Sequence, residues 1–126
     1  MPFPPAVPEI PVAALHAAVA YYVGKLGFTR DWGEDDGIAG ISRGDCRLFL
    51  TDAAFRRATH SNAPPIVIWL NLDSKAALDA QFAEWQASGA KIVAGPADMP
   101  WKLREFTAAD LDGNLLRVFY DFSRDA

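Results

Sequence analysis

Residues 110–119 read DLDGNLLRVF, and an earlier stretch at 43–51 reads RGDCRLFLT. In both stretches a glycine followed by Asn or Asp precedes a run of mostly apolar residues, and the two pairs, Gly44-Asp45 and Gly113-Asn114, lie 69 positions apart. Such dipeptides favour tight turns in which glycine takes a positive φ angle. Each stretch therefore predicts a turn between two strands, and the repetition indicates a duplicated unit.

Two predicted helices also repeat, over residues 14–26 and 75–88. Ser74 is a typical N-cap for the second helix, and glycines stand where C-caps are expected, at Gly27 and Gly89. A short apolar run precedes each helix, and short strand-like segments follow it. The apolar stripes of the two helices are formed by Leu15, Val19, Tyr22 and Leu26 in the first copy and by Leu78, Phe82 and Trp85 in the second.

The repeated order of strand, helix and further strands predicts an α+β fold made of two βαβββ modules. The modules cover about residues 5–60 and 64–124 of a single domain, 1–126. Eight mostly antiparallel strands and two outer helices are expected. Neither module could close its sheet alone, because its edge strands would stay unpaired. A cleft between curved sheets is therefore expected.

Composition and charge narrow the classes of function. The 12 Lys and Arg residues against 16 Asp and Glu residues give a net charge of −4. This charge disfavours nucleic acid and anionic membranes as partners and favours cationic small molecules. The one cysteine, Cys46, cannot form an internal disulfide, which indicates a cytoplasmic protein. A signal peptide pattern and a long apolar run are both missing from the sequence, so neither export nor a membrane span is expected.

Six stretches, in this order and spacing, resemble landmarks of the vicinal oxygen chelate (VOC) superfamily, and within it the glyoxalase-like bleomycin resistance proteins. The resemblance extends from Ala6 to Phe122. It implies paired βαβββ modules and a homodimer, domain-swapped or side by side, with ligand crevices at its interface. The stretches are AVPEIPV at 6–12, YYVGKLGF at 21–28, RDWGEDD at 30–36, RGDCRLFLT at 43–51, PWKLREF at 100–106 and DLDGNLLRVF at 110–119.

Enzymes of the superfamily bind a divalent metal through His, Glu or Gln side chains on four strands. The resemblance places those four positions at Val7, Leu48, Val67 and Arg117. Aliphatic side chains have no lone pairs for a metal, and a guanidinium group stays protonated. We therefore expect no metal, no other cofactor and no catalysis.

Two alternatives stay open. A metal-dependent lyase, isomerase or dioxygenase would require ligands at other positions, and the nearest candidates are Glu9, His16 and His60. A structural or regulatory homodimer would have a vestigial cleft that binds nothing.

The resemblance implies an antibiotic-binding protein that sequesters bleomycin-type glycopeptides without modifying them. Such ligands have a flat cationic tail, so their site needs aromatic faces and negative charge. Trp101 occupies the place where the similar resistance proteins carry a tryptophan that stacks on the ligand. Lys102 and Leu103 follow it where the family more often has a single glycine, which predicts a reshaped loop.

The predicted ligand-binding set consists of Trp101, Trp32 and four further side chains. Trp69 alternates with Val67 and Asn71 and is expected on the wall of the cleft. For Trp101 and Trp32 a position in the core is the alternative. Arg117 is expected to point inward and to pair with Glu9. Asp31 and Asp36 are expected to contact the ligand. They belong to an acidic run formed by Asp31, Glu34, Asp35 and Asp36, for which a solvated turn is the alternative.

Overall fold

Strand pairing repeats along the chain, as the sequence predicted. The computed structural model describes residues 3–33, 35–60 and 65–125. It divides into two units, Met1–Pro64 and Pro65–Ala126. Each unit contains a mixed four-stranded sheet with one parallel pair and two antiparallel pairs. The predicted α+β architecture is confirmed.

The first unit contains, in chain order, β1 (Glu9–Pro11), α1 (Leu15–Gly24), β2 (Thr29–Gly33), β3 (Ile38–Arg43), β4 (Cys46–Thr51), α2 (Ala54–Arg57) and a 3-10 turn (Ala58–His60). The sheet has the order β1-β4-β3-β2, with β1 parallel to β4. Helix α1 packs on this sheet. Helix α2 is an addition to the two predicted helices, because a single turn of helix leaves no periodic pattern in the sequence.

The second unit contains β5 (Val67–Asn71), α3 (Lys75–Ser88), β6 (Lys91–Asp98), β7 (Leu103–Ala109) and β8 (Leu115–Asp121). Its sheet has the order β5-β8-β7-β6, with β5 parallel to β8. Helix α3 packs on β6, β7 and β8. No helix in the described ranges is long and apolar enough to cross a membrane.

Each sheet buries the face that carries its helix. On β4, Leu48 and Leu50 are buried, whereas Phe49 between them is half-buried. On β8 the same alternation buries Leu116 and Val118. Because side chains alternate along a strand, the residues between these buried ones point to the opposite face.

The turns and caps that the sequence predicted are largely confirmed. Gly44 and Gly113 have φ angles of 57° and 84° in the β3–β4 and β7–β8 turns. Ser74 Oγ accepts a hydrogen bond from the backbone of Ala77, and Gly89 ends α3 with φ of 85°. The first helix ends at Gly24 rather than before Gly27, whose positive φ belongs to the following turn.

Two stretches that contain turn-forming residues are strands. The RDWG part of RDWGEDD forms β2, and residues 95–98 extend β6. Both strands contain β-bulges, which break the alternation that a sequence pattern relies on. Pro96 is compatible with β6 because this strand lies at the edge of its sheet.

Candidate functional site

A row of side chains crosses the helix-free face of the first sheet. Strand register places Trp32, Gly40, Phe49 and Glu9 next to one another on β2, β3, β4 and β1. The indole of Trp32 lies directly against Gly40, so that a Cβ atom at this position would overlap Trp32 Nε1 and Cε2. The Trp32 and Phe49 rings meet edge to face, with centroids 5.1 Å apart. A glycine in the middle strand thus lets the Trp32 indole pack against the sheet, edge to face with the Phe49 ring.

A shallow pocket of about 160 Å³ opens beside this aromatic pair. The β-bulge between Arg30 and Trp32 places Asp31 at its rim, and Arg47 contributes the opposite charge. Trp32 is 44% exposed, so it is a wall of this pocket rather than a core residue. The pocket combines an aromatic surface with one carboxylate and one guanidinium group.

The row ends at Glu9, which binds two basic side chains of its own unit. His60 Nε2, in the 3-10 turn, lies 3.0 Å from Glu9 Oε2. Arg56 Nη1 lies 3.8 Å from Glu9 Oε1. The pairing of Glu9 with Arg117 stays a prediction. The described contacts of Glu9 lie within the first unit, and those of Arg117 lie within the second unit.

The residues at the metal positions implied by the family do not fit a metal. One of these positions, Leu48, needs correction, because Leu48 is buried on the face of the sheet that carries α1. By strand register Phe49 stands opposite Glu9, just as Arg117 stands opposite Trp69. Phe49 is therefore the residue equivalent to Arg117. A shift of one residue along a strand moves a side chain to the other face. Neither phenyl nor guanidinium groups coordinate a cation. Within the described ranges, no three His, Cys, Asp or Glu side chains come together as a metal site would need.

The second sheet carries a different row on its helix-free face. Here Trp69, Arg117 and Thr107 are neighbours on β5, β8 and β7. Arg117 Nε donates a hydrogen bond to Thr107 Oγ1 over 3.2 Å, and its guanidinium carbon lies 5.2 Å from the Trp69 ring centroid. Trp69 also meets Phe119 edge to face at 5.5 Å and is 48% exposed. Arg117 is therefore held in place while Trp69 keeps an open ring surface.

Trp101 lies on the turn between β6 and β7 and is 61% exposed. Its Nε1 donates a hydrogen bond of 2.7 Å to Glu105 Oε2. Glu105 is only 6% exposed and was missed by the sequence analysis. The alternation in LREFTAA was the available signal, because Phe106 and Ala108 are buried on the helix side and Glu105 and Thr107 must share the other face.

Ion pairs fix the strands on either side of the Trp101 turn. A hydrogen bond from Lys75 and another from Arg104 lower the pKa of the Asp98 carboxyl group. Hydrogen bonds to Asp79 and Asp98 raise the pKa of the Arg104 guanidinium. Arg104 is thus engaged with α3 and β6 rather than with its sequence neighbour Glu105.

Cys46 gives no sign of a reactive site. It is half-buried at the start of β4, and burial raises the pKa of its thiol. A raised pKa lowers the thiolate fraction at neutral pH and with it the nucleophilicity. These properties are typical of an inert thiol in a strand rather than of a nucleophile.

The predicted ligand-binding residues fall into separate groups. Asp31 joins Trp32 in the pocket of the first unit, and Arg117 joins Trp69 in the second. Asp36 is exposed in the turn after β2 and does not line the pocket. Asp35 lies 4.0 Å from His16 on α1, and Glu34 lies outside the described residues.

The turn that carries Trp101 contains a residue in an unfavourable conformation. Lys102 has φ of 71°, a region that costs a residue with a side chain about 1 kcal/mol or more. We expect Lys102→Gly to raise the free energy of unfolding by about 1 kcal/mol in urea denaturation. Lys102→Ala keeps the conformational cost and should give no gain. Equal stability of the Gly and Ala variants would contradict the explanation.

A family model supports the interpretation of this fold. The model described as the Glyoxalase/Bleomycin resistance protein/Dioxygenase superfamily matches residues 6–118. The chain belongs to this superfamily. No curated protein matches the sequence significantly.

Solved structures share the fold of this superfamily member at low sequence identity. A glyoxalase/bleomycin resistance protein/dioxygenase from Nocardioides is 23% identical, with a TM-score of 0.78 over 98% of this chain and 87% of that one. Lactoylglutathione lyase from Agrobacterium tumefaciens is 16% identical, with a TM-score of 0.75 over 98% of both chains. TioX from Micromonospora sp. ML1 is 21% identical, with a TM-score of 0.70 over 93% of this chain and 95% of that one.

Proposed function

We propose that this superfamily member binds an aromatic, positively charged natural product of the bleomycin type and holds it without chemical change. The observation that carries the proposal, and in particular its second part, binding without chemical change, is the surface around Arg117. At a position where the superfamily's enzymes hold a metal, a guanidinium group is fixed between Thr107 and the Trp69 ring. This arrangement favours recognition of an organic ligand over metal chemistry.

Open aromatic surfaces support the stacking part of the proposal. Trp32, Trp69 and Trp101 are all 44% exposed or more, which is unusual for so large an apolar side chain. Aromatic pairs contribute about 0.5–1.5 kcal/mol each beyond the burial of area. Micromolar affinity needs about 8.2 kcal/mol in total, so burial of ligand surface and charge complementarity must supply most of it.

Both signs of charge accompany the aromatic surfaces. In the first unit Asp31 and Arg47 line the pocket beside Trp32, and in the second Glu105 and Arg117 share the face with Trp69. A ligand with a cationic tail and a polar head can satisfy both kinds of group. A homodimer is part of the proposal, because two copies would bury more ligand surface than one.

Titration of metal-free bleomycin into the chelator-treated protein tests this function. Calorimetry should show saturable binding of one ligand per subunit, and the recovered bleomycin should have an unchanged mass. Trp69→Ala should weaken binding about tenfold, because it removes a ring surface and the support of Arg117.

Leu111→Ala serves as the matched control. Leu111 is a large apolar residue, 59% exposed, on the β7–β8 turn, and its loss should leave the affinity unchanged. No binding up to about millimolar ligand, which corresponds to about 4.1 kcal/mol, would overturn the proposal.

A metal-dependent enzyme is the second candidate, and one observation favours it. His60 and Glu9 lie 3.0 Å apart and are both residue types that divalent metals use. Titration with Ni²⁺ or Zn²⁺ followed by calorimetry tests this candidate. Binding that is lost in His60→Ala would favour the enzyme over sequestration.

A further inference from the structure

Glu105 is a buried carboxylate in the middle of a central strand. It lies on the helix-free face of β7, and 6% of the residue is exposed. Its neighbour Phe106 points the other way, into the core against the Trp85 ring at 5.7 Å. A charged side chain at such a position needs partners for its oxygen atoms, because a buried ion without them is costly.

A single described hydrogen bond reaches this carboxylate, from Trp101 Nε1 to Oε2 over 2.7 Å. Over the described ranges, no Lys, Arg or His side chain forms an ion pair with it. The two neighbouring arginines have other partners: Arg104 binds Asp79 and Asp98, and Arg117 binds Thr107. A carboxylate offers about four acceptor sites, so Glu105 keeps acceptor capacity for an incoming donor.

Two aromatic residues are neighbours of Glu105: Trp101 through its hydrogen bond and Phe119 through strand register. Phe119 is the register partner of Glu105 on β8, and its ring meets Trp69 at 5.5 Å. Trp101 lies beside Glu105 and is mostly exposed. A cation near an aromatic ring gains a further electrostatic attraction to the ring face. Carboxylate and rings together match a protonated amine carried by an aromatic group.

We propose that Glu105 recognises a protonated amine of the ligand, and that Trp101 is the positioning residue that orients the carboxylate. The inference rests on the proposed function in that both use the helix-free face of the second unit. The amine would bind Glu105 while the attached aromatic group covers Trp101 or Phe119. A neutral ligand of the same shape would leave the carboxylate without its counter-charge.

A matched pair of small probes tests this inference without bleomycin. Naphthylmethylamine is cationic at neutral pH, and naphthylmethanol is its neutral counterpart of nearly the same shape. Affinities are measured from amide chemical shifts in NMR titrations up to about ten millimolar. The wild type should bind the amine at least roughly tenfold more tightly than the alcohol, as expected for a hydrogen bond to a charged group. In Glu105→Gln this preference should disappear.

Two further variants separate recognition from structure. Trp101→Phe keeps a ring but removes the N–H donor, so the amine preference should fall to an intermediate value. Leu111→Ala should keep the full preference. Thermal unfolding without ligand should show Glu105→Gln at least as stable as wild type, because the amide oxygen still accepts from Trp101.

The outcomes distinguish the two proposals. Equal affinity for amine and alcohol in the wild type, or no response to either probe, overturns the role of Glu105. An amine preference that survives in Glu105→Gln also overturns it. Bleomycin binding that persists in Glu105→Gln with unchanged affinity would overturn this inference and leave the proposed function standing.

Discussion

Replacing Trp85 with alanine is expected to lower the free energy of unfolding by about 4 kcal/mol. Trp85 is 2% exposed on α3, and its ring meets Phe106 edge to face on the underlying sheet. Its removal leaves a cavity that the surrounding strands cannot fill. Urea denaturation followed by far-ultraviolet circular dichroism measures the change.

Trp69→Ala is the matched control for this prediction, because it makes the same substitution in the same unit. Trp69 is 48% exposed on the opposite face of the sheet. Its loss should cost about 1 kcal/mol, mainly from the contact with Phe119. Equal losses for the two variants would contradict the assignment of Trp85 to the core and Trp69 to a surface.

Asp110→Ala is expected to cost about 3 kcal/mol through its hydrogen bonds. Asp110 is 4% exposed, at the start of the β7–β8 turn. Its Oδ1 accepts from the backbone of Asp112 and Asn114, and its Oδ2 accepts from the Asn114 side chain. Asn114 Oδ1 in turn accepts from the backbone of Ile66, just before β5. Removal of the carboxylate therefore leaves buried donors without an acceptor.

Two comparison variants test this prediction: Asp110→Asn is the conservative substitution, and Asp36→Ala is the control at an exposed position. The Asn variant keeps one acceptor oxygen and should lose about half as much free energy as the Ala variant. Asp36 is exposed, and its replacement should change the free energy of unfolding by less than about 0.5 kcal/mol. Denaturation curves for the three variants provide the comparison. An Ala variant as stable as Asp110→Asn would contradict the proposed role of the carboxylate.

The two units present different chemistry on corresponding rows of their sheets. Register places Phe49 and Glu9 in the first unit where the second has Arg117 and Trp69. At these two positions each unit therefore combines one aromatic side chain with one charged side chain, and the two types have exchanged strands between the units. This combination supports binding of an amphipathic small molecule, and the bleomycin and probe titrations test which charge of the ligand each unit recognises.

The sequence by itself determined the elements that depend on local patterns. Helical spacing, the Ser74 cap and the glycine turns at Gly44 and Gly113 place α1, α3 and two hairpin turns. These signals are local because a helix repeats every 3.6 residues and a tight turn needs a residue that tolerates positive φ. The repetition of the pattern then predicted two similar sheets, which the strand order confirms.

The tertiary structure alone decided which side chains meet on the helix-free faces. Strand register, and not spacing along the chain, brings Glu9 to Phe49 and places Leu48 on the helix side. A β-bulge turns Asp31 toward a pocket, and a turn brings Trp101 onto Glu105. Such contacts depend on pairing between distant strands, and a shift of one residue reverses the face, so periodicity could not fix them.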